Sequence, residues 1–238
     1  MELTDRKKDL ISGLTGAAKS ALSLVPGLGQ AIAGWDGYKR SVFDRTVQRL
    51  IQIMNEKIEN LEDFAHNEWF RTQEGEQFVR KVFDAAFDEQ LQDKQELFVN
   101  AFINGVKDQT IPQLEKLKFV DMLRHLSLAA LIVLAEMDNM FRAQVRGPGR
   151  QPDPLQSLPM VDPTDIAEKL SGKYDPYMVT STVYEMESQG LFSNIGEWRK
   201  DWTGQYRQGG GFATSLCYTD FAARFVEFIT ISERREIS

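Results

Sequence analysis

Apolar residues recur at intervals of three and four along most of the first 142 positions. Phe43, Val47, Leu50, Met54, Ile58 and Leu61 are spaced 4, 3, 4, 4 and 3 apart. That spacing lays one stripe along a helix and cannot lie on one face of a strand. Phe78, Val82, Phe83, Ala86 and Phe87 make a second stripe, and Leu97, Phe98, Ala101, Phe102 and Val106 a third. The stretch from Leu114 to Met140 reads as a further helix, apolar on most sides between Leu126 and Ala135. Ahead of these, Thr4 or Asp5 caps a helix that runs to Leu24 and stops at Pro26-Gly27. Five amphipathic helices with short connections predict a helical bundle over residues 1–142.

The pattern then changes. Residues 143–163 hold Gly147, Pro148, Gly149, Pro152, Pro154, Pro159 and Pro163 without a periodic apolar face, which reads as a linker or long surface loop. Beyond it, a short helix covers Ile166 to Leu170. Asp175-Pro176 starts another, with Met178, Val179, Val183 and Met186 facing inward until Gly190 stops it. Leu191–Ile195 and Phe212–Tyr218 read as two strands around a glycine-rich tip, and Thr219-Asp220 restarts a helix over Phe221–Ile229. Helix, helix, Gly-Leu-Phe, hairpin is the order of a winged helix-turn-helix, with Leu126 to Met137 available as its first helix. The expected fold class is mainly α: a helical bundle, then a winged-helix-like α+β module over residues 164–238.

Charge narrows the function classes. A net charge of -7 and the spread of acids over both halves disfavour a general nucleic-acid binder, whose affinity comes from neutralising phosphates. Cys217 is the only cysteine, so no intramolecular disulfide can form. The charged start (Glu2, Asp5, Arg6, Lys7, Lys8) matches a signal peptide poorly. The expected address is cytoplasmic, with peripheral contact at the inner membrane as the conditional case.

That conditional case comes from Leu10 to Trp35, which holds one charge, Lys19. Gly13, Ala17 and Ala21 recur every fourth residue before Pro26, and Gly29, Ala33 and Gly37 after it. Small residues at this interval let two helices approach closely, so the segment reads as a tight αα-hairpin packed in the bundle. Its arms are too short to span a bilayer, but cations at its open end (Arg6, Lys7, Lys8, Lys39, Arg40) would suit shallow insertion of residues 10–37 into an anionic membrane.

The helix after Asp175 would be the recognition helix of a winged fold. Residues 164–191 carry five acids against two lysines, which opposes approach to a phosphate backbone and favours protein contact or self-association. The tip supplies Trp198, Arg199, Lys200, Trp202, Tyr206 and Arg207, which fit either an aromatic protein anchor or phosphate and sugar contacts. Nucleic acid is therefore the disfavoured partner, and a protein partner or homo-oligomer the favoured one.

Nothing along the chain spells out a catalytic, cofactor, metal or small-molecule site. Pro26-Gly27-Leu28-Gly29 lacks the preceding strand and the Gly-Lys-Ser/Thr ending of a phosphate loop. His66 and His125 lie in different predicted helices with no zinc-type spacing beside them. Glu59 with Asp63, and Asp84 with Asp88, are carboxylate pairs four apart, but no Glu-x-x-His accompanies them. Asp121 with His125 could form a general-base pair, against the simpler reading of a solvated helix face. The chain is expected not to be an enzyme.

Several segments resemble bacterial abortive-infection proteins of the Abi-alpha type. They are Lys94–Asn104 (KQELFVNAFIN), Phe119–Leu134 (FVDMLRHLSLAALIVL), Glu185–Leu191 (EMESQGL) and Tyr218–Phe228 (YTDFAARFVEF), together with the Pro26-Gly27 helix start. The family's His-Pro-Ser-Phe signature has no counterpart here; Phe119 and Leu126-Ser127 echo its surroundings. The resemblance implies a helical phage-defence protein and carries no catalytic residue across. Three uses follow as expectations: a non-enzymatic defence or stress factor acting by protein contact, a winged-helix transcriptional regulator, and an oligomerising structural adaptor.

Overall fold

The computed structural model describes residues 40–145, 160–161, 163–194 and 216–230, and the protein is mainly helical. In chain order the elements are α1 (Arg40–Lys57), α2 (Leu61–Ala65), a 3-10 turn (Glu68–Arg71), α3 (Gln73–Asp88), α4 (Gln92–Lys107), α5 (Gln113–His125), α6 (Leu128–Val145), β1 (Met160–Val161), α7 (Pro163–Leu170), α8 (Pro176–Ser188), β2 (Phe192–Asn194), β3 (Leu216–Tyr218) and α9 (Asp220–Ile229). They form two compact units. Among the described residues, one holds 40–124 with 228–230, and the other spans His125–Glu227.

The first unit is built around phenylalanine. α3 packs along α4, and α1 packs against both. Phe78, Val82, Phe83, Ala86 and Phe87 are buried, as their spacing predicts, and so are Phe98, Ala101, Phe102 and Val106. Phe102 sits at the centre, with ring centroids 5.1 Å from Phe83, 5.5 Å from Phe64 and 5.9 Å from Phe70. The edge-on and offset geometries add to plain burial. A β-carbon on Gly105 would lie 2.4 Å from the Phe78 ring, so α4 approaches that ring where only glycine fits.

Local capping explains the breaks. Thr72 starts α3: its hydroxyl accepts from the Gly75 amide at 3.1 Å and donates to the Trp69 carbonyl. The stripe expected to run unbroken to Leu61 stops earlier. α1 ends at Lys57, Ile58 still covers the core, and the Asn60 side chain accepts from the Asp63 amide to begin α2. The single helix expected over 114–140 is likewise two, because the Ser127 hydroxyl accepts from the Ala130 amide and caps α6.

Two lysines are buried in this unit with defined partners. Lys94 donates to the Arg124 carbonyl at 2.9 Å and lies 3.1 Å from Glu89. Burial alone would raise the Glu89 pKa; the Leu91 amide, the Lys94 ammonium and the Gln90 amide outweigh it and hold the carboxyl below its usual range. Lys116 is only 2% exposed; it donates to the Gly105 carbonyl at 2.7 Å and sits 4.7 Å over the Trp69 ring. Burial lowers its pKa, against the attraction of Asp108 and Glu74. A base with a depressed folded pKa adds stability above its unfolded value and loses it as pH falls through the folded one. Lys116→Met is therefore expected to change stability by less than about 1.5 kcal/mol at neutral pH and to flatten the rise in stability as pH climbs from neutral toward the ordinary lysine value of 10.5. Urea unfolding across that range measures both; a loss of several kcal/mol at neutral pH would contradict it.

The second unit carries the sheet. β3 lies between its two antiparallel neighbours, in the order β1-β3-β2. Phe192 faces Tyr218, Ser193 faces Cys217 and Asn194 faces Leu216 on one side; Met160 faces Cys217 on the other. Of the two strands expected at Leu191–Ile195 and Phe212–Tyr218, the described residues show Phe192–Asn194 and Leu216–Tyr218, and Ile195 and 212–215 lie outside them. β1 is an addition, inside the segment 143–163 read as linker: two residues are too few to show alternation. The unit boundary also differs from the expected break at 142. α6 belongs to the second unit because it packs along α8 and touches α7 and β1.

Candidate functional site

In the second unit, α8 is held on its inner side and open on its outer side. Asp175 caps it, accepting from the Tyr177 amide at 2.8 Å, and Pro176 occupies the first turn, where its missing N–H costs nothing. Gly190, at φ 78°, ends it in the left-handed region that glycine tolerates. Val179, Thr182, Val183 and Met186 are buried. At about 100° per residue, Tyr177, Ser181, Tyr184 and Ser188 lie on the opposite side. Tyr177 is 86% exposed and Tyr184 55%, the two most open aromatic side chains among the described residues.

Neighbouring elements fix this helix. Glu185 accepts from the Ser127 amide at 2.6 Å and from its hydroxyl at 2.8 Å. The carboxylate thus sits at the N-terminus of α6, the favourable end of that helix for a negative charge. Lys169 on α7 pairs with Glu136 on α6. Deeper in the unit, the Tyr218 hydroxyl donates to Asp138 at 2.9 Å, and Arg142 reaches the other Asp138 oxygen at 2.5 Å and Glu227 at 3.4 Å. This joins α6, β3 and the last turn of α9. Burial, and then the Asp138 charge, push the Tyr218 hydroxyl far above its ordinary value.

The chemistry offered by the outer face of α8 is narrow. Thr180, Ser181 and Ser188 donate their hydroxyls to carbonyls of their own helix, at 3.0, 2.9 and 2.6 Å. α8 contains no lysine, arginine, asparagine or glutamine, the residues that usually read base edges. Its charges are Glu185 and Glu187. What remains for a partner is aromatic surface bordered by acid.

Of the acids singled out in the sequence, Asp84, Asp88 and Asp121 meet cations. Lys81 lies 2.6 Å from Asp121, Arg124 2.7 Å from Asp88, and Arg80 3.8 Å from Asp84. His125 is exposed at the end of α5, and the Asp121 carboxylate meets Lys81. Asp63 accepts from Asn60. Among the described residues there is no group of three or more histidine, cysteine, aspartate or glutamate side chains placed to hold a metal. No described helix is long and apolar enough to cross a membrane.

The two residue sets chosen from the sequence lie outside the described residues. These are the hairpin positions Gly13, Ala17, Ala21, Pro26, Gly29, Ala33 and Gly37, and the tip positions Trp198, Arg199, Lys200, Trp202, Tyr206 and Arg207. The residues that sequence reading passed over are Asp138, Lys116 and Lys94. Lys116 falls in register with Phe119, Val120 and Leu123, and Lys94 with Phe98 and Ala101; a lone cation in an apolar stripe is the available signal. Asp138 is similarly an acid in a helix that is otherwise mostly apolar on that side. The chain matches no protein-family model, no curated protein and no solved structure.

Proposed function

We propose that this protein is a non-enzymatic factor that works by protein contact, in a bacterial phage-defence or stress setting, through a winged-helix-like second unit. The module reading is supported by the succession α6, β1, α7, α8, β2, β3 and by the strand order β1-β3-β2. The contact reading rests on one observation above all: the outer face of α8 presents two exposed tyrosines and no cation. Exposed aromatics anchor protein interfaces, whereas DNA readers bring arginine, lysine or amides to the groove. The defence setting rests on the resemblance of Lys94–Asn104 and Phe119–Leu134 to Abi-alpha-type proteins.

The test uses the full chain in a bacterium challenged with phage. Tyr177→Ala/Tyr184→Ala should lose protection in a plaque assay while keeping the wild-type circular dichroism spectrum and melting temperature. Purified protein should show no salt-dependent binding to a duplex of about 20 base pairs. The regulator reading is favoured by the same strand order, and it predicts the reverse: DNA binding that weakens with salt and collapses when Arg199, Lys200 and Arg207 become alanine. Conditional membrane association through residues 10–37 would appear as co-sedimentation with anionic liposomes that is lost on Ala33→Asp.

A further inference from the structure

We propose that the outer face of α8 is a docking surface for an extended, arginine-bearing protein segment; this rests on the contact reading above and names the partner's chemistry. Charge selects the occupant. α8 carries Glu185 and Glu187 and no base, with the exposed Asp175 at its start. The bases nearest in sequence are Lys173 and Lys169, the latter paired with Glu136. A phosphate-bearing partner would meet repulsion here. A second copy would set the same acids against each other. A cationic segment meets attraction from Glu187 and from the negative end of the helix, which lies beside Tyr184.

Geometry selects arginine over lysine. Tyr177 and Tyr184 are seven residues apart, so they lie on one line about 10.5 Å apart along the helix. An extended polyproline-type segment returns to the same side every third residue, after about 9.3 Å. Arginines three apart would therefore reach both rings, and a planar guanidinium stacks on an aromatic face in a way that an ammonium cannot. The hydroxyls between the rings are bonded within α8, so the contact is ring and charge rather than a hydrogen-bond code.

The probes are fluorescein-labelled nona-arginine and nona-lysine, which carry equal charge, titrated with the full chain and followed by anisotropy. Nona-arginine should bind about fivefold tighter than nona-lysine. Tyr177→Ala/Tyr184→Ala should weaken nona-arginine by about tenfold and leave nona-lysine within about twofold. The substitution leaves the net charge untouched, so general attraction to an acidic protein cannot produce that difference. Glu187→Gln should weaken both peptides by about twofold. Equal binding of the two peptides, or nona-arginine binding unchanged in the tyrosine variant, overturns the proposal. If phage protection is nevertheless lost in that variant, the contact reading stands and the cationic partner does not. If arginine selectivity is present and depends on the tyrosines but protection is unaffected, the docking surface stands and its use in defence does not.

Discussion

Phe102→Ala is expected to cost about 3–5 kcal/mol, the range for removing a fully buried phenylalanine. The upper end applies here for two reasons. The side chain is 0% exposed, and three aromatic partners lose an edge-on or stacked neighbour at once, each pair contributing about 0.5–1.5 kcal/mol beyond burial. Phe64, Phe70 and Phe83 come from three different elements, so no single rotamer change closes the cavity. Since a domain of this kind is stable by only about 5–15 kcal/mol, the variant should be partly unfolded at 37 °C. Phe102→Leu keeps most of the volume and should cost less than about 2 kcal/mol. Leu114→Ala, at an 82% exposed position, should stay within about 0.5 kcal/mol. Urea unfolding of the three variants would rank them; a small loss for Phe102→Ala would mean that the first unit does not pack around this ring.

Sequence periodicity located that core because burial and helix pitch act together over four turns. Phe78, Val82, Phe83 and Phe87 could be assigned to one face before any coordinates, and all four are buried. Ends were harder to place. The break at Ser127 and the restart at Asn60 each depend on one side chain bonding one amide, a signal that a long apolar run conceals. β1 was invisible for a related reason: its two residues have meaning only through their partners on β3. Exposure on α8 was half legible. The inward positions Val179, Val183 and Met186 followed from their spacing, which also sets Tyr177 and Tyr184 on the other side, but whether another element covers that side is not written in the spacing. Buried charge was the least legible feature. Lys116 and Asp138 are accommodated by the Gly105 carbonyl and the Tyr218 hydroxyl, 11 and 80 residues away in the chain.

Asp138 gives the second large effect, and the more informative one. Asp138→Ala should cost about 3 kcal/mol, because it removes the acceptor of the buried Tyr218 hydroxyl and the shorter of two ion pairs from Arg142. Arg142 keeps Glu227 and is about one-third exposed, which limits the loss to the lower part of the range for broken buried pairs. Tyr218→Phe should cost less, about 1–2 kcal/mol, since Asp138 retains Arg142. The double variant should be less destabilised than the two single losses together, by about 1 kcal/mol or more, because both single changes remove the same Tyr218–Asp138 hydrogen bond. Additive losses would show that the two groups act separately. The same pair sets an alkaline limit. The Tyr218 pKa is raised above 10.0 by burial and by the Asp138 charge, so its contribution is full below that pH and is lost as pH rises beyond it, when the unfolded chain ionises and the folded one does not. Wild type should therefore lose more stability than Tyr218→Phe between about pH 9.5 and 11. Parallel curves for the two proteins would mean that the hydroxyl is not held by Asp138.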